Sequence, residues 1–167
     1  VSVGQVAIIG DHICSLAGIS PLKGESVFLE RFGSCHVTTS YDRDLRQLAG
    51  EALSRTRRSG ENFNADAVYL MAPGPQLPTL AELKFYSSSC GADLVGTPLP
   101  EVLALNQMGR RVLALSMVVD GVLTELSSYE QRVRVISRHA EEFIERIVGM
   151  LPHVAPTIVG QGKAVSA

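Results

Sequence analysis

The chain has 167 residues, of which 46% are hydrophobic, 19% charged and 5% aromatic, with no Trp and a formal net charge of −2. That length suits one domain with a buried core, and the composition excludes a disordered or collagen-like chain. With 15 basic against 17 acidic residues there is no basic field for nucleic acid, and no apolar run approaches the roughly 18 residues of a membrane span.

Val6-Ala7-Ile8-Ile9 is a continuous apolar run, the pattern of a strand buried on both faces. Residues 41 to 58 place Leu45, Leu48, Ala52 and Leu53 at helical spacing and end in Arg55, Arg57 and Arg58, suited to the negative end of a helix dipole. Ala67 to Ala72 forms a second strand. The proline-rich segment Pro73-Gly74-Pro75-Gln76-Leu77-Pro78 follows, either a rigid connection or the cover of a ligand at the next helix N-terminus. Thr79-Leu80-Ala81-Glu82 is a capping box, opening a helix that stops near Gly91.

A third strand is read at Ala92-Asp93-Leu94-Val95, followed by Gly96-Thr97-Pro98. Thr97 fits an N-cap or a hydroxyl that binds a phosphate oxygen. Pro100 and Gly109 bracket another helix, and Val112 to Val119 forms the fourth strand. Asp120-Gly121 after it reads as a tight turn, or as a carboxylate able to accept from an exocyclic amine or hold a shared proton. The last helix carries Tyr129, Val133, Ile136, Ala140, Phe143, Ile147 and Leu151 as one apolar stripe, with Ser127 and Glu130 capping its start and Pro152 closing it. Residues 1–154 then make one domain, and 155–167 a flexible tail rich in small residues.

Strands alternating with helices predict an α/β domain with a mostly parallel mixed sheet and flanking helices. Its site is sought at the carboxyl ends of the strands. The chain has no Walker A loop and no GxGxxG. His12, His36, His139 and His153 lack metal-ligand spacing and read as core or surface histidines, so neither metal nor cofactor is expected. Cys14, Cys35 and Cys90 are odd in number and show no CxxC pattern. They argue against a disulfide framework and for an intracellular, reducing compartment, the cytoplasm or an organelle such as the mitochondrion. The first residue is Val and no signal-peptide pattern follows, which fits a processed product or part of a longer protein.

Several segments together resemble the trimeric purine nucleoside phosphorylase family. They are Gly10-Asp11-His12-Ile13, Pro21-Leu22-Lys23-Gly24, Glu30-Arg31-Phe32-Gly33, Tyr41-Asp42-Arg43-Asp44-Leu45-Arg46, Tyr69 through Pro75, Ala81-Glu82, Gly91 through Gly96, Pro100-Glu101-Val102 and Ser127-Ser128-Tyr129-Glu130. Their order matches the family from its middle to its C-terminus. The resemblance implies a truncated nucleoside-phosphorylase fold and phosphorolysis of the N-glycosidic bond of purine nucleosides, with phosphate as co-substrate if the chain is active. The family's first half supplies a phosphate loop, a His and an Arg that grip phosphate, and an Asn-Ala segment beside the base. The match begins after all of these.

The matched half also departs from the family. Leu77-Pro78 stands where the family has Phe-Glu, whose carboxylate grips the purine. Gly96-Thr97-Pro98-Leu99-Pro100-Glu101 is one residue shorter than its counterpart. By the resemblance, the substrate-binding remnants are Tyr69, Thr97, Asp120 in place of a base-recognising Asn, and Arg134 in place of a ribose-gripping His. His36 lies near the loop that reaches a neighbouring subunit, and Asp120 is the catalytic candidate. Framework positions are kept and pocket positions replaced. The combination implies a catalytically degenerate member serving as a structural or interaction subunit, in a homo-oligomer or with other protein chains. Two alternatives stay open: an active phosphorylase of the glycosyltransferase type whose first half is supplied elsewhere, and a module that holds a purine nucleoside without turning it over.

Overall fold

Each apolar run contributes a strand in the computed structural model, which describes residues 3–15, 40–56, 62–72, 78–97, 99–119 and 129–160. Strands β1 (Val6–Cys14), β2 (Phe63–Met71), β3 (Leu94–Gly96) and β4 (Leu115–Met117) form one sheet in the order β3-β2-β1-β4. β1 and β2 are parallel, as are β2 and β3, while β4 runs antiparallel to β1. Among the described residues four helices flank it: α1 (Arg43–Thr56), α2 (Leu80–Cys90), α3 (Pro100–Gln107) and α4 (Tyr129–Gly160). The fold is the α/β architecture with a mostly parallel mixed sheet that the alternation of patterns predicts.

Side chains alternate across a strand, so β1 feeds two cores. Val6 and Ile8 pack with Leu45, Ala49, Ala52 and Leu53 of α1 and with Met150 and Val154 of α4. Ala7 and Ile9 face the other way, into a cluster with Tyr41, Ala67, Tyr69, Met71, Leu94 and Val102. A smaller cluster joins Leu70, Ala72 and Ala92 to Tyr86 and Cys90 of α2.

The β1–β2 ladder slips twice. Ala7 pairs with Asn64 and Ile9 with Ala67, so β2 carries an extra residue; Asp11 then pairs with Val68, so β1 carries one at Gly10. An inserted residue turns every later side chain to the opposite face. Ile13 therefore packs on the Leu70 cluster, while His12 reaches Tyr41. Gly10 suits its place because a Cβ there would overlap the carboxylate of Asp66. Arg46 holds that carboxylate at 2.8 Å and donates to the Gly10 carbonyl at 3.3 Å.

Helix ends follow the local chemistry. The Thr79 hydroxyl accepts from the Glu82 N–H at 3.3 Å, and the Thr79 N–H donates to the Glu82 carboxylate at 2.7 Å. Gly91 closes α2 at φ 68°, a left-handed turn that glycine adopts without strain. Pro100 lies in the first turn of α3. The N-cap there is Leu99, with no side-chain cap bond, so Thr97 is not the cap that its position suggested. Asp42 precedes α1 and accepts from the Leu45 N–H at 2.9 Å.

The end of α4 differs from the sequence reading. The helix continues through Pro152 and Pro156 to Gly160, so 155–160 are helical rather than part of a tail, and 161–167 lie outside the described residues. A proline inside a helix costs about 3 kcal/mol, because it lacks an N–H and crowds the carbonyl four residues back. Met150 and Val154, 2% and 1% exposed, anchor the helix on either side of Pro152 against α1 and β1. Met150 and Val154 are buried with Phe143 and Ile147 half-buried beside them, whereas Val133, Ile136 and Leu151 of the predicted stripe are exposed. Ser127, the expected cap, and the Tyr129 side chain lie outside the described residues. No helix among the described residues is long and apolar enough to cross a membrane.

Candidate functional site

Parallel pairing aligns Cys14 with Met71, and Met71 with Gly96, so the carboxyl ends of β1, β2 and β3 lie side by side. Sheets of this class bind ligands beyond such ends. Among the described residues, two polar side chains there are bonded to the fold. Ser15 donates its hydroxyl to the Met71 carbonyl at 2.7 Å, and Tyr69 donates its hydroxyl to the Thr97 carbonyl at 3.0 Å. Tyr69 is 7% exposed, and burial raises its phenol pKa above the ordinary value. Its hydroxyl lies so close to Gly96 that a Cβ would collide with it, which is why the strand end carries glycine.

A second polar pair sits behind this edge. His12 Nδ1 and the Tyr41 hydroxyl share a hydrogen bond of 3.1 Å, with the two rings edge-on at 87°. Burial lowers the His12 pKa, opposed by the Asp11 carboxylate; burial, then Asp11 and Tyr69, raises that of Tyr41. The stable forms at neutral pH are thus a neutral imidazole and a protonated phenol. Asp11-His12 and Tyr41-Asp42 both stand in segments that the sequence singles out. Nothing in their spacing shows that the chain folds one onto the other.

At the N-terminus of α1, Arg111 grips Asp42 with two bonds, Nε to Oδ2 at 2.5 Å and Nη2 to Oδ1 at 2.7 Å. The Arg111 hydrogen bond, against the opposing effect of burial, holds the Asp42 carboxyl down at about 2. A cleft of about 390 Å³ adjoins this pair, lined by Tyr41, Arg46, Asn106 and Arg110 among others. Another, of about 580 Å³, runs along α1 beside Arg43, Gln47, Arg55 and Phe63. Neither is lined by the residues that close the strand ends. Both clefts are open grooves, whereas sheets of this class take their ligands at the strand ends.

Of the residues singled out in the sequence, Tyr69 and Thr97 are brought together, by a phenol-to-carbonyl bond. Thr97 itself is exposed. Arg134 is exposed on α4, and no described residue pairs with it. Asp120 and His36 lie outside the described residues. Pro78 stands directly before the Thr79 cap of α2. Cys14 is exposed, Cys90 half-buried, and both are free thiols.

No family model matches the chain. It is 31% identical over 164 residues to the purine nucleoside phosphorylase of Mus musculus, an alignment covering 92% of this chain and 55% of that protein. Purine nucleoside phosphorylase 1 of Bacillus subtilis is also 31% identical, over 153 residues, covering 86% of this chain and 52% of that one. The crystal structure of a Schistosoma purine nucleoside phosphorylase with hypoxanthine aligns at a TM-score of 0.74 and 28% identity, over 90% of this chain and 55% of that chain. The Schistosoma mansoni enzyme with inosine aligns at 0.73 and 29%. The chain spans about half the length of the relatives it matches.

Proposed function

Because the chain belongs to the purine nucleoside phosphorylase family over about half of that family's length, we propose that it is a phosphorylase-like protein that does not catalyse and serves as a structural or interaction subunit of a larger assembly. One observation carries this reading. At the start of α2, where the resemblance places the purine-gripping carboxylate, stands Pro78, and the neighbouring Thr79 hydroxyl and N–H are both closed within the capping box. A 6-oxopurine presents its N1–H as a donor, and a buried donor without an acceptor costs about 1–3 kcal/mol. The bond from Tyr69 to Thr97 supports the same reading, since it commits the best-matched pocket hydroxyl to the backbone.

The test is phosphorolysis by the purified chain. With inosine or guanosine and phosphate, no hypoxanthine or guanine should be released above background. Phosphate-dependent release by the chain alone would overturn the proposal.

A further inference from the structure

We propose that the cleft at the start of α1 is an anion site that takes a phosphate group, of free phosphate or of a small phosphate ester. None of its residues takes part in the catalytic reading, so the two are independent. The fold builds the cleft from two segments distant in sequence. Asp42 donates its backbone N–H to the Val112 carbonyl at 2.8 Å, which lays the entry to α1 beside the segment that follows α3. Gly109, just past α3, turns in the left-handed region at φ 66° and leads into Arg110 and Arg111. Arg43 and Arg46 are three residues apart on α1, a spacing that puts both on one helix face. Four guanidinium groups thus line a cleft of about 390 Å³, and Asp42 is the one carboxylate among its described lining residues.

The charges around this cleft do not cancel. Arg111 is committed to Asp42, at 2.7 Å through Nη2, and reaches Asp44 at 3.6 Å. Nη2 of Arg46 holds Asp66 at 2.8 Å. Arg43 and Arg110 are exposed, and no described residue pairs with either. Their charges are left over where α1 also presents the positive end of its dipole. Donors are in surplus as well. Ser40 lines the cleft at 8% exposure, and its hydroxyl has no partner among the described residues. Arg46 Nε and Asn106 Nδ2 are buried N–H groups without an acceptor, and both side chains line the same cleft. A buried donor without an acceptor is costly, so the cleft favours a ligand rich in acceptors. Phosphate supplies several anionic oxygens, and the planar guanidinium of arginine pairs with them two at a time. A carboxylate offers two oxygens in one plane and leaves donors here unmatched. An open groove suits a small charged ligand, because such a ligand need not shed all its water.

The test is calorimetric titration of the purified protein with inorganic phosphate, methyl phosphate and acetate at constant ionic strength. At least one of the two phosphates should bind, and acetate should bind about tenfold more weakly or not at all. Binding of both phosphates marks the group itself as the determinant. Binding of one alone names free phosphate or the ester as the source. Arg43→Gln and Arg110→Gln should each weaken binding about five- to tenfold, and the double variant should abolish it, as loss of charge-assisted bonds requires. Both side chains are exposed, so circular dichroism and the melting temperature without ligand should stay unchanged. Arg138→Gln, on α4, should bind as the parent protein does. No binding of either phosphate, equal affinity for acetate, or an equal loss in Arg138→Gln would each overturn the proposal. So would binding that survives the double substitution, since phosphate held at the strand ends would behave in that way. Phosphorolysis does not enter the readout, so this result and the catalytic one fail independently.

Discussion

The two ends of β1 behave differently. Val6, Ala7, Ile8 and Ile9 are all buried, and their side chains touch α1, α4 and β2 as a framework strand should. From Gly10 onward the strand is partly open, and its surroundings are held by polar bonds: His12 to Tyr41, Ser15 to the Met71 carbonyl, Tyr69 to the Thr97 carbonyl. Apolar packing specifies the first end whatever happens at the second. At the second, the hydroxyls of Ser15, Tyr41 and Tyr69 are engaged with the fold. The contrast shows that different interactions maintain the two regions, so a change at one end need not disturb the packing of the other.

The largest effect should come from the framework. Met150→Ala removes a buried side chain shared by α4, α1 and β1, and should lower unfolding free energy by about 2–5 kcal/mol in denaturant titration. A loss below about 1 kcal/mol would mean that α4 does not pack there. At the strand ends, Gly96→Ala should cost about 1–3 kcal/mol, since the new methyl meets a buried, rigid phenol. Gly10→Ala should cost less, because the Asp66 carboxylate it meets is exposed and can turn away. Equal melting temperatures for the two variants would erase the distinction.

Acid should act on the polar region. Asp42 has a folded pKa of about 2 against an ordinary 3.8, so its contribution is present above the ordinary value and is lost as pH falls toward 2. His12 is also depressed from 6.5, so its contribution likewise fades as pH drops below that value. Stability measured by urea unfolding should therefore fall in two steps on acidification. Asp42→Asn should flatten the lower step, and an unaltered profile would exclude the Arg111 pair as its source.

Much of the framework is legible in the sequence because its signals are local. Continuous apolar runs mark all four strands, Thr79 and Glu82 mark the start of α2, and Pro100 marks that of α3. The far end of α4 is illegible because Pro152 and Pro156 argue against helix, while the burial of Met150 and Val154 that favours it is a tertiary contact. The site is less legible still. His12 and Tyr41 are 29 residues apart and Asp42 and Arg111 are 69 apart, so no spacing rule connects them. The paired bulges that bring His12 round to Tyr41 are marked in the sequence by nothing more than Gly10.

The most direct measurement concerns Tyr69, where the framework and ligand-binding roles give opposite results. Tyr69→Phe keeps the ring and removes the bond to the Thr97 carbonyl. Thermal unfolding, with and without hypoxanthine, should show a loss of about 0.5–1.5 kcal/mol that is the same in both conditions. Unchanged stability without the purine, together with loss of a purine-induced rise in melting temperature, would show that the hydroxyl serves a ligand and that the strand ends remain a working pocket.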